Sequence, residues 1–232
     1  MIVRVLASGS KGNSTLIETN KSKILIDVGL CISDLENRLG DVKLDQIDAI
    51  FITHTHSDHI KGLAQIKKHH KIPVYDNLNI EASLNIKDLT VSAITLSHDV
   101  DCFGLIVSDN IHELVYITDT GYISSKNIEI TKNKDIYIIE SNHDEKMLLE
   151  GSYPYILKQR IISDRGHLSN KASSQYIKKV IGDKTKYVVL AHLSEENNRP
   201  EIAYQNMEKV LKDKDIKLLV AKQHEVTEEI MV

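Results

Sequence analysis

Apolar and polar positions alternate in short runs through the first third of the chain, and this period of two predicts β-strands. The runs are residues 1–7, 14–18 and 23–28. Residues 31–40 have helical spacing instead, and the apolar run at 49–53 is typical of a buried strand. A helix is predicted from Ser57, as its N-cap, to about His70.

Strands and helices alternate through the remaining two thirds, which favours an α/β architecture. The predicted strands are residues 73–75, 89–97, 103–108, 114–118, 135–140, 187–191 and 216–220. The predicted helices are residues 144–150, 172–181 and 200–211. Two stacked sheets with helices outside each would bury these strands, although periodicity alone leaves other α/β layouts open.

Composition narrows the classes of function without choosing one. The 232 residues are read as one continuous domain, 1–232, without repeats or low-complexity segments. A formal charge of -4 gives no general attraction to nucleic acid or anionic membrane, although it allows a local basic patch. Two cysteines, no secretory leader and no apolar run of transmembrane length predict a cytoplasmic protein without a membrane partner.

The densest group of metal-ligating residues is HTHSDH at residues 54–59, directly after the predicted buried strand. Residues two apart in an extended chain point to the same side, so His54 and His56 can reach one metal ion. Asp58 and His59, in the first turn of the predicted helix, can reach a second ion. Imidazole and carboxylate groups suit zinc, manganese or iron. The alternative interpretation is a polar loop that happens to be rich in histidine.

Three further ligand candidates each follow a predicted strand: His98, Asp119 and His192. Taken singly, each is also compatible with a hydrogen-bonded loop residue. Taken together with the cluster at residues 54–59, they complete two coordination spheres. The sequence therefore predicts a centre for two divalent metal ions, zinc or manganese, with iron as a further option.

The pattern His54-x-His56-x-Asp58-His59 resembles the signature of the metallo-β-lactamase superfamily, and Asp27 matches its first motif. The resemblance implies a four-layer αββα sandwich. It also implies one metal held by His54, His56 and His98, and a second held by Asp58, His59 and His192, with Asp119 bridging the two. Asp27 would hold the ligand loop through hydrogen bonds; the alternative is a simple turn residue before Gly29.

Several longer segments narrow the resemblance to the YycJ/WalJ branch, bacterial proteins regarded as DNA exonucleases. They are SGSKGN at 8–13, SHD at 97–99, TDTG at 118–121, SDRGHLSN at 163–170 and AHLSEENN at 191–198. These segments run from residue 8 to about residue 200, so the resemblance covers most of the chain.

A more distant resemblance, to the tRNA 3′-processing ribonucleases of the same superfamily, concerns Glu140, His167 and His192. It implies that Glu140 and His167 form a catalytic pair in which the histidine donates a proton to the leaving oxygen. Only about twenty residues separate His98 from Asp119, so the long tRNA-clamping arm of that family has no place in this interval. No other interval looks long enough to hold it, which argues against tRNA maturation.

A local excess of positive charge favours a polyanionic substrate. Eight basic residues and two acidic ones lie between Lys158 and Lys186, a segment that includes His167. A solvated helix face is the alternative for Lys178 and Lys179. The predicted substrate contacts are Ser10, Lys11, Asn13, His143, Arg165 and Asn170.

The leading hypothesis is a dinuclear-metal phosphodiesterase that acts on DNA as an exonuclease with a metal-activated water. Asp58, Glu140 and His167 are its predicted catalytic residues. The alternatives are a hydrolase of a small molecule, such as a cyclic nucleotide, and a metal-binding regulatory protein with little catalysis. The expected partner is a nucleic acid, DNA before RNA, and a homodimer is left open.

Overall fold

Two β-sheets lie face to face in a computed structural model that describes residues 1–76 and 83–232. In chain order, the strands of the first sheet are β1 (Ile2–Ala7), β2 (Ser14–Glu18), β3 (Lys23–Ile26), β4 (Ala49–Phe51), β5 (Val74–Tyr75) and β13 (Ile230–Met231). Those of the second are β6 (Leu84–Ile86), β7 (Leu89–Leu96), β8 (Cys102–Ser108), β9 (Glu113–Ile117), β10 (Ile136–Glu140), β11 (Tyr187–Ala191) and β12 (Lys217–Val220). Their spatial orders are β13-β1-β2-β3-β4-β5 and β12-β11-β10-β9-β8-β7-β6.

Helices cover the outer face of each sheet. Their bounds are α1 (Ile32–Leu39), α2 (Ser57–Ile60), α3 (Leu63–His69), α4 (Ser125–Ile130), α5 (Glu145–Glu150), α6 (Tyr155–Ile162), α7 (Asn170–Val180) and α8 (Pro200–Leu211), with a short 3₁₀ helix at Leu44–Gln46. Within the described part of the chain, every helix falls short of the length and apolarity that crossing a membrane requires.

Three apolar clusters explain why the molecule has four layers. Alternate residues of the central strands point to opposite faces, and in β10 Ile136 and Ile138 pack between the two sheets while Tyr137 and Ile139 face α7 and α8. A third cluster packs the outer face of the first sheet against α1 and α3. Burying both faces of a sheet requires apolar residues at successive positions, which is why these strands are short continuous apolar runs. The predicted αββα sandwich is confirmed.

Strand direction brings distant parts of the chain to one edge of the molecule. Strands β9, β10 and β11 are parallel, so their carboxyl ends meet at the same edge of the second sheet. Strands β3 and β4 are parallel in the first sheet as well. Loops that follow the carboxyl ends of parallel strands are the usual place for functional side chains in such sheets.

The helix predicted from Ser57 to about His70 is interrupted in the structure. Ser57 is the first residue of α2, with His56 in extended conformation at the N-cap, so the prediction that Ser57 caps the helix was wrong. The amide of Gly62 donates to the carbonyl of Val28 at 2.9 Å instead of to the preceding helical turn, and α3 begins after it. This contact ties the helix to the loop after β3.

Most other predicted elements agree with the structure to within one or two residues at their ends. Five elements of the described residues lay outside the predicted set: β6, β13, α4, α6 and the 3₁₀ helix. The strands β6 and β13 have only three and two residues, too few to show a period. Helix α6 buries none of its residues, so its sequence lacks the apolar stripe by which surface helices are recognised.

Gly29 packs against the segment that carries the metal-ligand motif, which leads to a stability prediction. An added Cβ would lie 1.7 Å from the carbonyl oxygen of Asp58, and backbone cannot move aside cheaply. We expect Gly29→Ala to lower the free energy of unfolding by roughly 2–4 kcal/mol, since overpacking displaces the backbone. Urea unfolding of the purified protein measures this change.

Gly40 provides the matched control for this variant. Its φ of 68° is left-handed, but the nearest atom to an added Cβ is 4.0 Å away. Gly40→Ala should therefore cost about 1–3 kcal/mol and less than Gly29→Ala, because backbone conformation is its only penalty. Equal losses in the two variants would contradict the steric explanation for Gly29.

Candidate metal centre

The centre lies at the sheet edge where the carboxyl ends of the parallel strands meet. His54 follows β4, Asp119 follows β9 and His192 follows β11, while His98 comes just after β7. His56, Asp58 and His59 belong to the junction between β4 and α2. The seven predicted ligands therefore come together although they span 139 positions of the sequence, from 54 to 192.

Three histidines form the first part of this centre. The Nε2 atom of His54 lies 3.1 Å from Nδ1 of His56, and Nε2 of His98 lies 3.4 Å from the same Nδ1. One ligand nitrogen from each of the three rings lies within 4.8 Å of the other two. His56 thus turns its Nδ1 inward, whereas the other two rings present Nε2.

Asp58, His59 and His192 form the second part. The Oδ2 atom of Asp58 lies 3.5 Å from Nε2 of His59 and 3.5 Å from Nε2 of His192. Asp119 lies between the two parts, since its carboxylate also groups with His54 and His59. Its Oδ2 atom is 3.2 Å from Nε2 of His59.

These spacings fit metal ligation. Four ligands around one ion, with bonds of about 2.0–2.1 Å, lie about 3.3 Å from one another in a tetrahedron. The separations of 3.1 and 3.4 Å in the first part and 3.5 Å in the second are close to this value. Asp119 Oδ2 and His192 Nε2 are buried without a hydrogen-bond partner among the described residues, as expected of atoms that serve as ligands. The centre therefore fits divalent metal ions.

Asp27 binds the segment that carries the HTHSDH motif through hydrogen bonds to Thr53 and His59. Its Oδ1 atom accepts a hydrogen bond from the Thr53 amide at 2.8 Å, and its Oδ2 atom accepts from Nδ1 of His59 at 2.8 Å. A carboxylate only accepts, so the His59 proton is on Nδ1 and its Nε2 lone pair is directed to the metal centre. The position agrees with the supporting role inferred from the sequence.

This geometry predicts that Asp27→Asn weakens metal binding. An amide offers one acceptor oxygen where the carboxylate offers two, so either Thr53 or His59 loses its partner. We expect the affinity for Zn²⁺ to fall about 10–100-fold, measured by competition with a chromophoric chelator. Asp41 is exposed, so Asp41→Asn is the control. Equal affinities of the two variants for Zn²⁺ would contradict the prediction.

Glu140 joins the metal centre to His167. Its Oε1 atom accepts from Nδ1 of His167 and from Nδ1 of His192, each at 2.8 Å. Its Oε2 atom accepts from the amides of Leu168 at 2.9 Å and Thr120 at 3.1 Å. With four donors the fully buried carboxylate is satisfied. The Nε2 atom of His167 is thereby turned away from Glu140.

Burial and neighbouring charges shift the pKa values of His167, Glu140 and His54. Burial lowers the pKa of His167, but the nearby Glu140 carboxylate has the larger combined effect, so the pKa is raised. For Glu140 burial raises the pKa, and the charge and hydrogen bond of His167 bring it down to about 2. Burial and the neighbouring His59 lower the pKa of His54 to about 3, which keeps its Nε2 lone pair available for a metal.

Three residues of the centre have left-handed backbone. The φ angles of Asp27, Asp119 and His192 are 59°, 57° and 54°. Residues other than glycine adopt this region at a cost of about 1–3 kcal/mol, and such strain is concentrated at functional sites. Asp27 and His192 directly follow β3 and β11, and Asp119 lies two residues after the end of β9.

Two predicted substrate contacts occupy different positions from those expected. Asn13 is buried, and its Nδ2 donates to Asp58 Oδ2 at 3.1 Å. Asn170 is buried as well, and its Oδ1 accepts from Ser141 Oγ at 2.7 Å. Because both side chains bind protein groups inside the fold, the structure favours a supporting role for them over substrate contact.

The other predicted contacts lie at the surface or beside the centre. Ser10 is exposed, and the Lys11 ammonium is paired with Glu195 at 2.6 Å. Arg165 is exposed and donates from Nε to the His98 carbonyl at 3.2 Å, which holds it next to a predicted ligand. His143 is buried near His167.

Asp99 is a residue of the centre for which the sequence suggested no role. Its Oδ1 atom lies 3.2 Å from Nε2 of His56 and 3.2 Å from Nε2 of His98, and its other oxygen pairs with Arg160. Two signals were available: its position directly after His98, and its place in the segment SHD at 97–99 that resembles the YycJ/WalJ branch. The pairing with Arg160 connects α6 to the first part of the centre.

Comparison with known proteins agrees with this geometry. Residues 7–115 match the sequence profile described as the metallo-beta-lactamase superfamily. The exodeoxyribonuclease WalJ of Streptococcus pneumoniae serotype 2 (strain D39 / NCTC 7466) is 37% identical in an alignment of 239 positions that covers 91% of this chain and 88% of WalJ. The exodeoxyribonuclease YycJ of Bacillus anthracis is 34% identical in an alignment of 234 positions that covers 90% of this chain and 89% of YycJ.

The chain belongs to the WalJ/YycJ branch of the metallo-beta-lactamase superfamily. The metallo-beta-lactamase fold protein YhfI from Bacillus subtilis superposes with a TM-score of 0.71 at 18% identity, over 98% of this chain and 99% of YhfI. At that identity the likeness concerns the fold alone. Membership in the WalJ/YycJ branch confirms the family that the sequence motifs indicated and makes the protein a metal-dependent hydrolase.

Proposed function

We propose that this protein is a DNA exonuclease that hydrolyses phosphodiester bonds at a centre of two divalent metal ions. The observation that carries the proposal is the Glu140–His167 pair, 2.8 Å apart, beside the group of metal ligands. A general acid next to a metal centre suits a reaction whose leaving group is a poorly stabilised alkoxide, as in a phosphodiester. The names of WalJ and YycJ, both exodeoxyribonucleases, support DNA as the substrate.

The ligand assignment follows the two parts of the centre. His54, His56 and His98 would hold one ion, Asp58, His59 and His192 the other, and Asp119 would bridge them. When bound, such a pair of ions supplies an acidified water as nucleophile and neutralises charge on the phosphoryl oxygens. Histidine and carboxylate ligands accept Zn²⁺ or Mn²⁺, and Fe²⁺ as well.

The protein's own contribution is the control of protons. Glu140 holds the His167 ring by its Nδ1 proton and favours the imidazolium form, so Nε2 carries a proton that can be donated. That proton passes to the leaving oxygen as its bond to phosphorus breaks, and His167 becomes neutral. Since Glu140 also accepts from His192, one carboxylate fixes both the acid and a metal ligand.

Positive charge beside the centre supports a polyanionic substrate. Arg165 is exposed and held next to His98 by its Nε, whereas the charge of Arg160 at the same edge is offset by Asp99. A phosphate of the DNA backbone can accept bidentate hydrogen bonds from such guanidinium groups. The overall charge of -4 limits general attraction to DNA, so binding should depend on this local patch and weaken with salt.

End-labelled duplex DNA tests the function directly. With Mn²⁺ the purified protein should shorten the duplex progressively from an end, while single-stranded DNA and RNA of the same sequence define its preference. Metal analysis of the same preparation counts the bound ions. Intact DNA combined with cleavage of a cyclic nucleotide would replace this proposal by hydrolysis of a small molecule.

A further inference from the structure

A cavity adjoins the metal centre at His167. Its volume is about 300 Å³, at the small end of the range for pockets that hold organic ligands. The residues that shape its walls include His143, Glu145, Leu149, Ile162, His167, Ser169 and Ala172. No step of the proposed reaction described above uses this space.

His167 connects the cavity to the reacting bond. Its ring centroid is 5.3 Å from that of His98 and 5.4 Å from that of His192, and the same side chain forms part of the cavity wall. The leaving oxygen has to approach His167 to receive its proton. The group attached to that oxygen therefore begins at the cavity, whichever end of the DNA is attacked.

The walls of the cavity suit a flat organic ring. Leu149 and Ile162 are 59% and 47% exposed. When a ring covers large apolar side chains at the mouth of a cavity, their apolar surface is removed from water, and this lowers the free energy of the complex. The Glu145 carboxylate on the wall repels a phosphate but can accept a hydrogen bond from an amino or hydroxyl group. The charge and polarity of the cavity thus favour the neutral part of a nucleotide.

His143 is a polar residue of the cavity wall. Its side chain is 3% exposed, and its Nδ1 is buried below the surface without a hydrogen-bond partner among the residues that the structure describes. Because that atom is closed off from the cavity, what His143 can offer a ligand is contact with its ring. Bases of nucleic acids pack against aromatic rings of this kind.

We propose that the cavity binds the nucleoside of the departing group, with its base between Leu149 and Ile162 and in contact with the His143 ring. The inference rests on the proposed phosphodiesterase function and specifies how that site positions its substrate. A bound nucleoside holds the leaving oxygen next to His167, so the cavity raises the fraction of bound DNA that is ready for proton transfer.

Filling the cavity tests this assignment. Leu149→Trp adds bulk from an exposed position, so the fold should tolerate it, and Ala172→Leu fills the same space from the opposite side. With Mn²⁺-loaded protein and duplex DNA we expect either variant to lower kcat/KM about tenfold or more, because the fit of a substrate group in its pocket changes kcat/KM by factors of this size. The matched control is Ile156→Trp on α6, which is 83% exposed and lies outside the cavity wall.

Direct binding provides a second measurement that is independent of catalysis. Deoxyadenosine titrated into the Zn²⁺-loaded full chain should shift the backbone amide signals of Glu145 and Ser169 in ¹H–¹⁵N spectra. The same titration with Leu149→Trp should leave these signals in place. The spectra also report whether each variant is folded.

The outcomes separate the two proposals. If the wild-type protein shortens DNA and both cavity variants match Ile156→Trp, the cavity assignment is overturned while the exonuclease stands. If the wild-type protein leaves DNA intact, the exonuclease fails. The titration then still decides the cavity, since shifts confined to its wall support nucleoside binding and unchanged spectra contradict it.

Discussion

Replacing Asp119 by Asn is expected to abolish hydrolysis of DNA and to reduce the bound metal. The side chain is buried between the two groups of proposed ligands, with Oδ2 3.2 Å from His59 Nε2, so the change alters the carboxylate that is proposed to serve both ions. We expect kcat/KM to fall at least about a thousandfold, as the loss of several kcal/mol of metal-ion catalysis implies. Elemental analysis should find fewer ions per chain than in the wild type.

The control for this prediction is Asp183→Asn, at an exposed position away from the centre. It should keep wild-type activity and metal content. A variant Asp119→Asn that retains both ions and most of the activity would show that Asp119 is not a ligand. Thermal unfolding with and without added Zn²⁺ distinguishes loss of metal from loss of the fold.

Replacing His167 by Gln should slow the reaction without removing metal. Its Nδ1 is bonded to Glu140 and its side chain remains 19% exposed, as expected of a group that reaches substrate. Loss of a general acid lowers kcat by about 10²–10⁴. With bis(p-nitrophenyl) phosphate the loss should be much smaller, because the p-nitrophenolate leaving group is stable without a proton.

This difference between the two substrates is the signature of an acid, and a merely structural residue would affect both alike. His69→Gln, at an exposed position on α3, is the matched control and should behave as wild type. Loss of metal in His167→Gln would make His167 a ligand. That outcome is a real alternative, because its ring groups with Asp119, Glu140 and His192 in the structure.

Much of the fold could be predicted from the sequence, because its determinants are local. The strands of both sheets are short apolar runs, and α7 and α8 follow their apolar periodicity. Helix α6 was not predicted, because it buries no residue and its sequence therefore lacks an apolar stripe. The break between α2 and α3 was not predicted either, because it depends on the hydrogen bond from the Gly62 amide to the distant Val28 carbonyl.

The sequence by itself determined the chemistry of the centre. Four ligand-type residues within HTHSDH at 54–59, followed by His98, Asp119 and His192 after apolar strands, are enough to indicate a metal-dependent hydrolase. Ligand-type residues at strand ends were informative because parallel strands bring their carboxyl ends to one edge of a sheet. This rule can be applied to a sequence alone.

Only the tertiary structure decided which of these residues act together and how. It placed the buried Glu140 between His167 and His192, gave Asp27, Asp119 and His192 left-handed backbone, and turned Asn13 and Asn170 inward. It also added Asp99 to the centre and a cavity to the far side of His167. These features arise from contacts between segments far apart in the chain, and local pattern carries no information about which distant atom fills a given space.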